Sequence, residues 1–280
     1  MRLAALASAV VCAVAIAVSG PSAAGEKKGI AIGSKDPHAA ETIKALDVGW
    51  YYTWNTTAVE DAGPAQFVPM IWSAGPKMDQ QISQLEQGPK PCVLLAFNEP
   101  DGRRQANMSV DAAIGAWGRI RPLARRVGSP AAVNALGPWF EGFSARMAEQ
   151  GDAYDFVAVH WYGAPSAASF LRKIDDIHET YKKPIWITEF AVSDWAARDG
   201  RKNRYSTDAT ERFMRAVLPE LERRPYVERY AWLGAGGDQE TTAPSRLVDG
   251  TGALTALGRI YAEFDGEGSV TAEPPCAAEN

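Results

Sequence analysis

Eight short apolar runs, each followed by a longer segment of different character, constrain this chain more than any other feature. They are KGIAIG (28–33), DVGWYYTW (47–54), QFVPMIW (66–72), CVLLAFN (92–98), AAVNALGP (131–138), DFVAVHWY (155–162), PIWITEF (184–190) and RYAWLG (229–234). Short runs rich in Val, Ile, Ala and aromatics suit strands buried on both faces. Helical segments separate most of them: ETIKALD (41–47), MDQQISQLE (78–86), a stretch capped by Ser109, EGFSARMAEQG (141–151), SAASFLRKIDDIHETYKK (166–183), STDATERFMRAVLPELERR (206–224) and LTALGRIYAEF (254–264). The link after the second run is too short for a full helix. Eight strand candidates, separated by helices at all but one link, predict an α/β fold, a single (β/α)8 TIM barrel. An open doubly wound sheet fits less well, because no Gly-x-Gly-x-x-Gly or Gly-Lys-Ser/Thr follows a strand. The first and fifth runs are the weakest strand candidates.

The start of the chain, MRLAALASAVVCAVAIAVSGPSAAG, has one arginine, an apolar core and a small-residue stretch before charged sequence. That is the pattern of a secretory signal peptide, assigned to residues 1–24. Its core falls short of the roughly 20 residues a spanning helix needs, and Cys12 lacks a lipid-attachment context. The expected organisation is then a catalytic barrel over 25–264 and an irregular tail over 265–280. In an oxidising compartment Cys92 and Cys276 are candidates for a disulfide: Cys92 begins the fourth strand at the base of the barrel, and the tail after the last helix should return to that end. A net charge of −5 without a basic run argues against nucleic acid and anionic membrane as partners. No His/Cys/Asp cluster has metal-ligand spacing, Ser144 lacks the closing glycine of a nucleophile elbow, and no cofactor is implied.

In barrels of this kind the chemistry sits at the carboxyl ends of the strands. Few ionisable residues fall there: Glu99 after the fourth run, His160 near the end of the sixth and Glu189 at the end of the seventh. Glutamates on strands four and seven can face each other across the mouth. Two opposed carboxylates suit glycoside hydrolysis, in which one protonates the leaving oxygen and the other attacks the anomeric carbon or activates water. Either glutamate alone could be a loop carboxylate in an ion pair; the pairing is the signal. Nine tryptophans add to it, since indoles offer flat apolar platforms. Trp54, Trp72, Trp161 and Trp232 lie at strand ends, Trp139 just beyond the fifth and Trp195 after the seventh. Each is a candidate for sugar stacking or for plugging the barrel.

FNEPD at the fourth strand end and WITEF at the seventh resemble the clan of retaining (β/α)8 glycosidases with catalytic glutamates on those strands. The ordered set WYYTWN, FVPMIW, LLAFNEPD, DFVAVHWY, PIWITEF and RYAW is similar to glycoside hydrolase family 128, β-1,3-glucanases with a glycosyl hydrolase catalytic core, over about Lys28 to Phe264. The resemblance implies Glu99 as general acid/base and Glu189 as nucleophile, with Asn98 on the sugar hydroxyl next to the anomeric carbon. His160 and Tyr162 match the family's sixth-strand pair. Their i, i+2 spacing puts both on one face of the strand, where they position Glu189 or a sugar, and Tyr162 is the expected donor to Glu189. The roles demand a Glu99 that stays protonated and a Glu189 that stays ionised. The expectation is a secreted (extracellular or periplasmic), monomeric, endo-acting β-1,3-glucanase with a polysaccharide substrate. A β-1,4-glucanase or mannanase, or a non-catalytic glucan-binding wall protein, are the alternatives.

Overall fold

Pro69 divides the third strand of the ring into two short pieces. In the computed structural model, which describes residues 27–234 and 240–266, the strands are Lys28–Ala31 (β1), Trp50–Tyr52 (β2), Gln66–Phe67 (β3), Met70–Ile71 (β4), Val93–Asn98 (β5), Arg126–Ala131 (β6), Val157–Gly163 (β7), Ile185–Val192 (β8) and Val227–Leu233 (β9). All pairings between them are parallel, in the orders β3-β2-β1-β9-β8-β7 and β4-β5-β6. Val68 and Pro69 join the two sheets on one side, and a parallel bridge between Gly128 and Phe156 joins β6 to β7 on the other. Counting β3 and β4 as one stave gives eight staves, a (β/α)8 barrel in which β5 is the fourth and β8 the seventh.

Helices Ala39–Ala45 (α1), Met78–Gln87 (α2), Val110–Ile120 (α3), Pro138–Glu149 (α4), Ala167–Tyr181 (α5), Thr207–Arg223 (α6) and Ala256–Glu263 (α7) lie between the strands. Four of them begin at a serine or threonine whose hydroxyl accepts a backbone N–H of the first turn: Ser109, Ser166, Ser206 and Thr255. The link from β2 to β3 holds no helix, as its length requires. No described helix is long and apolar enough to cross a membrane. The signal segment 1–24 and Cys276 lie outside the described residues. Cys92 is disulfide-bonded.

Alternation along the staves sorts the apolar residues into two cores. Ala31, Trp50, Tyr52, Val68, Met70, Val93, Leu95, Ala131, Phe156, Ala158, Trp186 and Ala231 form one cluster drawn from every stave, and they fill the barrel. Large rings need small neighbours there. A Cβ on Gly29 would sit 2.3 Å from the Trp50 indole nitrogen, and one on Gly128 would sit 2.5 Å from the Phe156 ring. The larger cluster packs the outer strand faces against the helices. At the base, the Lys28 ammonium is buried and donates to the carbonyls of Tyr261 (3.0 Å), Ala262 (3.2 Å) and Phe264 (2.7 Å), which ties the end of α7 to β1. Burial pushes its pKa down to about 8, with Asp47, Asp265 and Glu222 opposing.

The fifth strand departs from expectation. It spans Arg126–Ala131 rather than 131–138; of the predicted run Ala131 ends the strand, and the rest forms the loop and the first residue of α4. RVGSPA looks like a turn because it has Gly, Ser and Pro. In the ring those small residues serve the interior: Gly128 makes room for Phe156, and the Ser129 hydroxyl accepts the Ala158 N–H at 3.0 Å.

Candidate active site

Each catalytic candidate follows an irregularity in its strand. In β8, Val159 of β7 pairs with Ile187 but His160 pairs with Glu189, so Thr188 is an extra residue. Trp186 points into the barrel and Phe190 out against the helices. Strict alternation would aim Thr188 inward and Glu189 outward; the bulge reverses that and brings Glu189 to the mouth. In β5 the register shifts between Ala96 and Asn98, where Phe97 has φ +41°. Glu99 follows with φ +43°. Positive φ is costly for a bulky side chain, and it is not the extended state expected of a residue before proline. The turn holds through backbone bonds: Asn98 N–H to Trp72 O (2.9 Å), Glu99 N–H to Ala131 O (2.8 Å), and Gly102 N–H to Glu99 O (2.9 Å). Asp101 secures the neighbouring loop by accepting the Val133 N–H (2.8 Å) and the Asn134 N–H (3.3 Å).

The two glutamates and His160 meet at the mouth, and one ligating atom from each lies within 4.8 Å of the others. All three are buried. Glu189 is held on both oxygens. Its Oε1 accepts the Tyr52 hydroxyl (2.8 Å) and the Trp54 indole N–H (2.7 Å), and its Oε2 accepts the Tyr162 hydroxyl. His160 bridges the pair: Nδ1 lies 3.0 Å from Glu99 Oε1, and Nε2 lies 3.3 Å from Glu189 Oε1 without hydrogen-bond geometry. Burial alone would lower the His160 pKa. The charge of Glu189, then the hydrogen bond and charge of Glu99, with Asp101 behind them, outweigh it, and the net shift is upward from 6.5. The Tyr52 and Tyr162 phenols are pushed well above their usual value, by burial first and by Glu189 next. They therefore remain proton donors to that carboxylate. Each Glu189 oxygen thus has at least one hydrogen-bond donor.

Asn98 is buried beside Glu99, its Nδ2 directed at Gln105 Oε1 (3.4 Å) and its Oδ1 without a partner among the described residues. Trp54 and Trp72 border a cavity of about 540 Å³ with Thr53, Asn55, Ser73, Lys77 and Gln81. Trp195 is exposed near Tyr162.

Three tryptophans lie elsewhere. Trp232 is fully buried against Phe190, Phe213 and Tyr261 and donates to Ser245 O, so it belongs to the helix–strand core and does not face a ligand. Trp161 likewise packs outward on Phe170 and Phe213. Alternation requires this, since His160 and Tyr162 on either side of it point inward. Trp139, in the first turn of α4, stacks on Phe143 and donates to Met108 O (2.7 Å). Tyr52 is the site residue the sequence reading missed. Its signal was its place two residues after Trp50 on the same face of β2.

Residues 29–261 match the family described as glycosyl hydrolase catalytic core. The chain is 28% identical over 250 residues to Alkali-sensitive linkage protein 1 of Schizosaccharomyces pombe, covering 84% of this chain and 44% of that protein, so it spans under half of that relative's length. It is similar to a GH128 (subgroup I) endo-beta-1,3-glucanase from Amycolatopsis mediterranei in complex with laminaritriose, at 29% identity and a TM-score of 0.72, covering 85% of this chain and 99% of that one. A GH128 (subgroup VII) oligosaccharide-binding protein from Trichoderma gamsii shares the fold at 23% identity and a TM-score of 0.69, covering 87% and 95%.

Proposed function

Because the chain belongs to glycoside hydrolase family 128, with a glycosyl hydrolase catalytic core, we propose that it is a secreted, endo-acting β-1,3-glucanase that works by double displacement. The observation that carries the reading is the spacing of the carboxylates. An oxygen of Glu99 and one of Glu189 lie within 4.8 Å, which supports the close ~5–5.5 Å spacing of a retaining pair over the ~6.5–9.5 Å that leaves room for an inverting water.

In this reading Glu99 begins protonated and Glu189 ionised. A Glu189 oxygen attacks the anomeric carbon. The glycosidic C–O bond breaks with its electron pair going to the leaving oxygen, which takes the Glu99 proton. Glu99, now a carboxylate, accepts a proton from water as that water's oxygen attacks the same carbon, and Glu189 departs as a carboxylate. Two inversions give retention. Tyr52, Trp54 and Tyr162 hold Glu189 in line and stabilise its charge before attack and after release. His160 fixes the Glu99 carboxyl through one oxygen and leaves the other for the proton transfer. The Asn98 amide meets the hydroxyl beside the anomeric carbon. The β-1,3 linkage and endo action draw their support from the Amycolatopsis relative. Export draws its support from residues 1–24, and a monomer is the assumed working state.

The test is to incubate the mature protein with laminarin, cellulose and mannan, measuring reducing ends and following the first-formed anomer by proton NMR. Release of β-anomeric laminari-oligosaccharides from laminarin is expected. An α-anomer formed first overturns the double displacement, and products from cellulose or mannan alone overturn the linkage. Binding of laminarin without any product favours the oligosaccharide-binding alternative.

A further inference from the structure

Among the described residues only two large apolar side chains are strongly exposed, Val133 and Trp195, and Trp195 is 51% accessible. A half-exposed indole is unusual, because a tryptophan offers more apolar area to bury than any other residue. Its loop follows β8, the strand that carries Glu189. The ring stands edge-on to Tyr162, with centroids 5.7 Å apart and planes at 70°, and the Tyr162 hydroxyl is bonded to Glu189. Trp195 therefore lies one side chain away from the nucleophile. The Arg198 guanidinium sits 5.5 Å from its ring centre and backs it.

The loop is held in place. Asp194 is 2% exposed, and its carboxylate accepts the Ala196 N–H (3.1 Å), the Arg204 N–H (3.0 Å) and the Arg204 guanidinium (2.8 Å). Its own N–H donates to Thr241 O (2.8 Å), and the Asn203 amide donates to Glu240 O (2.9 Å) and Thr241 O (3.0 Å). A clasp of this kind fixes both ends of the segment that presents the indole. Around the mouth, Trp54, which borders the cavity with Trp72, reaches Glu189 through Oε1, whereas Tyr162 reaches it through Oε2.

We propose that Trp195 is a stacking platform for further sugar units of the same glucan chain, across Glu189 from the Trp54–Trp72 cavity, and that Asp194 is a positioning residue that holds the platform there. The inference rests on reading the site as a glucan hydrolase. One flat indole, with polar residues around it and continuous with the mouth, fits the apolar C–H face of a pyranose ring. It is far too small a patch for a stable protein interface, which needs ~800 Å² per partner. The chain would occupy both flanks at once, so the platform matters only for substrates long enough to reach it.

The experiment compares KM and kcat on laminarihexaose and on an aryl laminaribioside for the wild type, Trp195→Ala, Trp195→Tyr and Asp194→Ala. Trp195→Ala is expected to raise KM on the hexaose about tenfold, the factor for ~1.4 kcal/mol of lost stacking, with kcat little changed and the bioside unaffected. Trp195→Tyr should recover most of the affinity, and Asp194→Ala should reproduce the length-dependent KM rise with its melting transition still cooperative. An equal KM for wild type and Trp195→Ala on both substrates overturns the proposal. So does a fall in kcat of the same size on both, which would mean that Trp195 only props Tyr162. Calorimetric binding of laminarihexaose to Glu99→Gln, with and without Trp195→Ala, separates this from the hydrolase reading. If the wild type cleaves nothing yet Trp195→Ala still weakens binding, the platform stands and the hydrolase reading fails.

Discussion

Glu99 and Glu189 reach the mouth from β5 and β8, each after a bulge, but the two strands deliver them differently. β8 runs on for three residues past Glu189, to Val192, and the bulge at Thr188 turns the carboxylate inward onto three donors. β5 ends at Asn98; Glu99 lies past it in a left-handed turn, with His160 as its one side-chain partner among the described residues. In the proposed double displacement the difference matches two chemical needs. A nucleophile must stay an anion in one position, which dense hydrogen bonding provides. An acid/base must gain and lose a proton in each cycle, which dense donors would oppose. The strained turn places it without surrounding it.

Removing either carboxylate breaks the comparison at its two ends. Glu189→Ala should lower kcat on the order of 10⁴- to 10⁶-fold, and azide should restore turnover by giving the α-glycosyl azide; a β-azide would reverse the assignment. Glu99→Gln should cost ~10²–10⁴-fold on laminari-oligosaccharides, with far less effect on the first step for aryl glycosides with good leaving groups. Equal slowing of both would remove Glu99 as the acid.

Subtler changes test the surroundings. Tyr52→Phe keeps the packing and deletes one charge-assisted donor worth ~1.5–3 kcal/mol, so kcat should fall about 10- to 100-fold while the melting temperature holds. Unchanged kcat would mean that Oε1 does not need this donor. His160 has its pKa raised in the folded state, so its stabilising contribution is fully present below about pH 6.5 and fades as pH rises through the folded value. Urea titrations should therefore show His160→Gln furthest below the wild type near pH 5, with the gap narrowing towards pH 9; a gap that widens instead contradicts the bridged geometry. The smallest effect on activity should come from Trp232→Phe, which lies in the outer core: KM within about twofold, and a loss of stability of ~1 kcal/mol or more from the cavity.

Seven of the eight staves, and both carboxylates, were legible in the sequence because buried parallel strands are written as short apolar runs. The fifth stave was not, because its contribution to the interior is space: Gly128 and Ser129 accommodate Phe156 and bond Ala158, and no apolar run marks them. The first stave, a weak candidate in the sequence, opens with a lysine that is in fact buried on three carbonyls. Strand alternation could have corrected Trp161, which lies between two inward-facing residues, and could have found Tyr52, which shares the inward face of β2 with Trp50. It could not have placed Glu189, because the Thr188 bulge breaks the period in a way no composition announces. Nor could it have anticipated φ +43° at Glu99, where the following proline argued for an extended backbone.

The most direct test of the double displacement is trapping with a 2-fluoro-β-laminaribiosyl fluoride, followed by peptide mapping of the labelled protein. A stable 2-fluoroglycosyl adduct is expected on the peptide that contains Glu189, with no label on the peptide that contains Glu99. A label on Glu99 would contradict it.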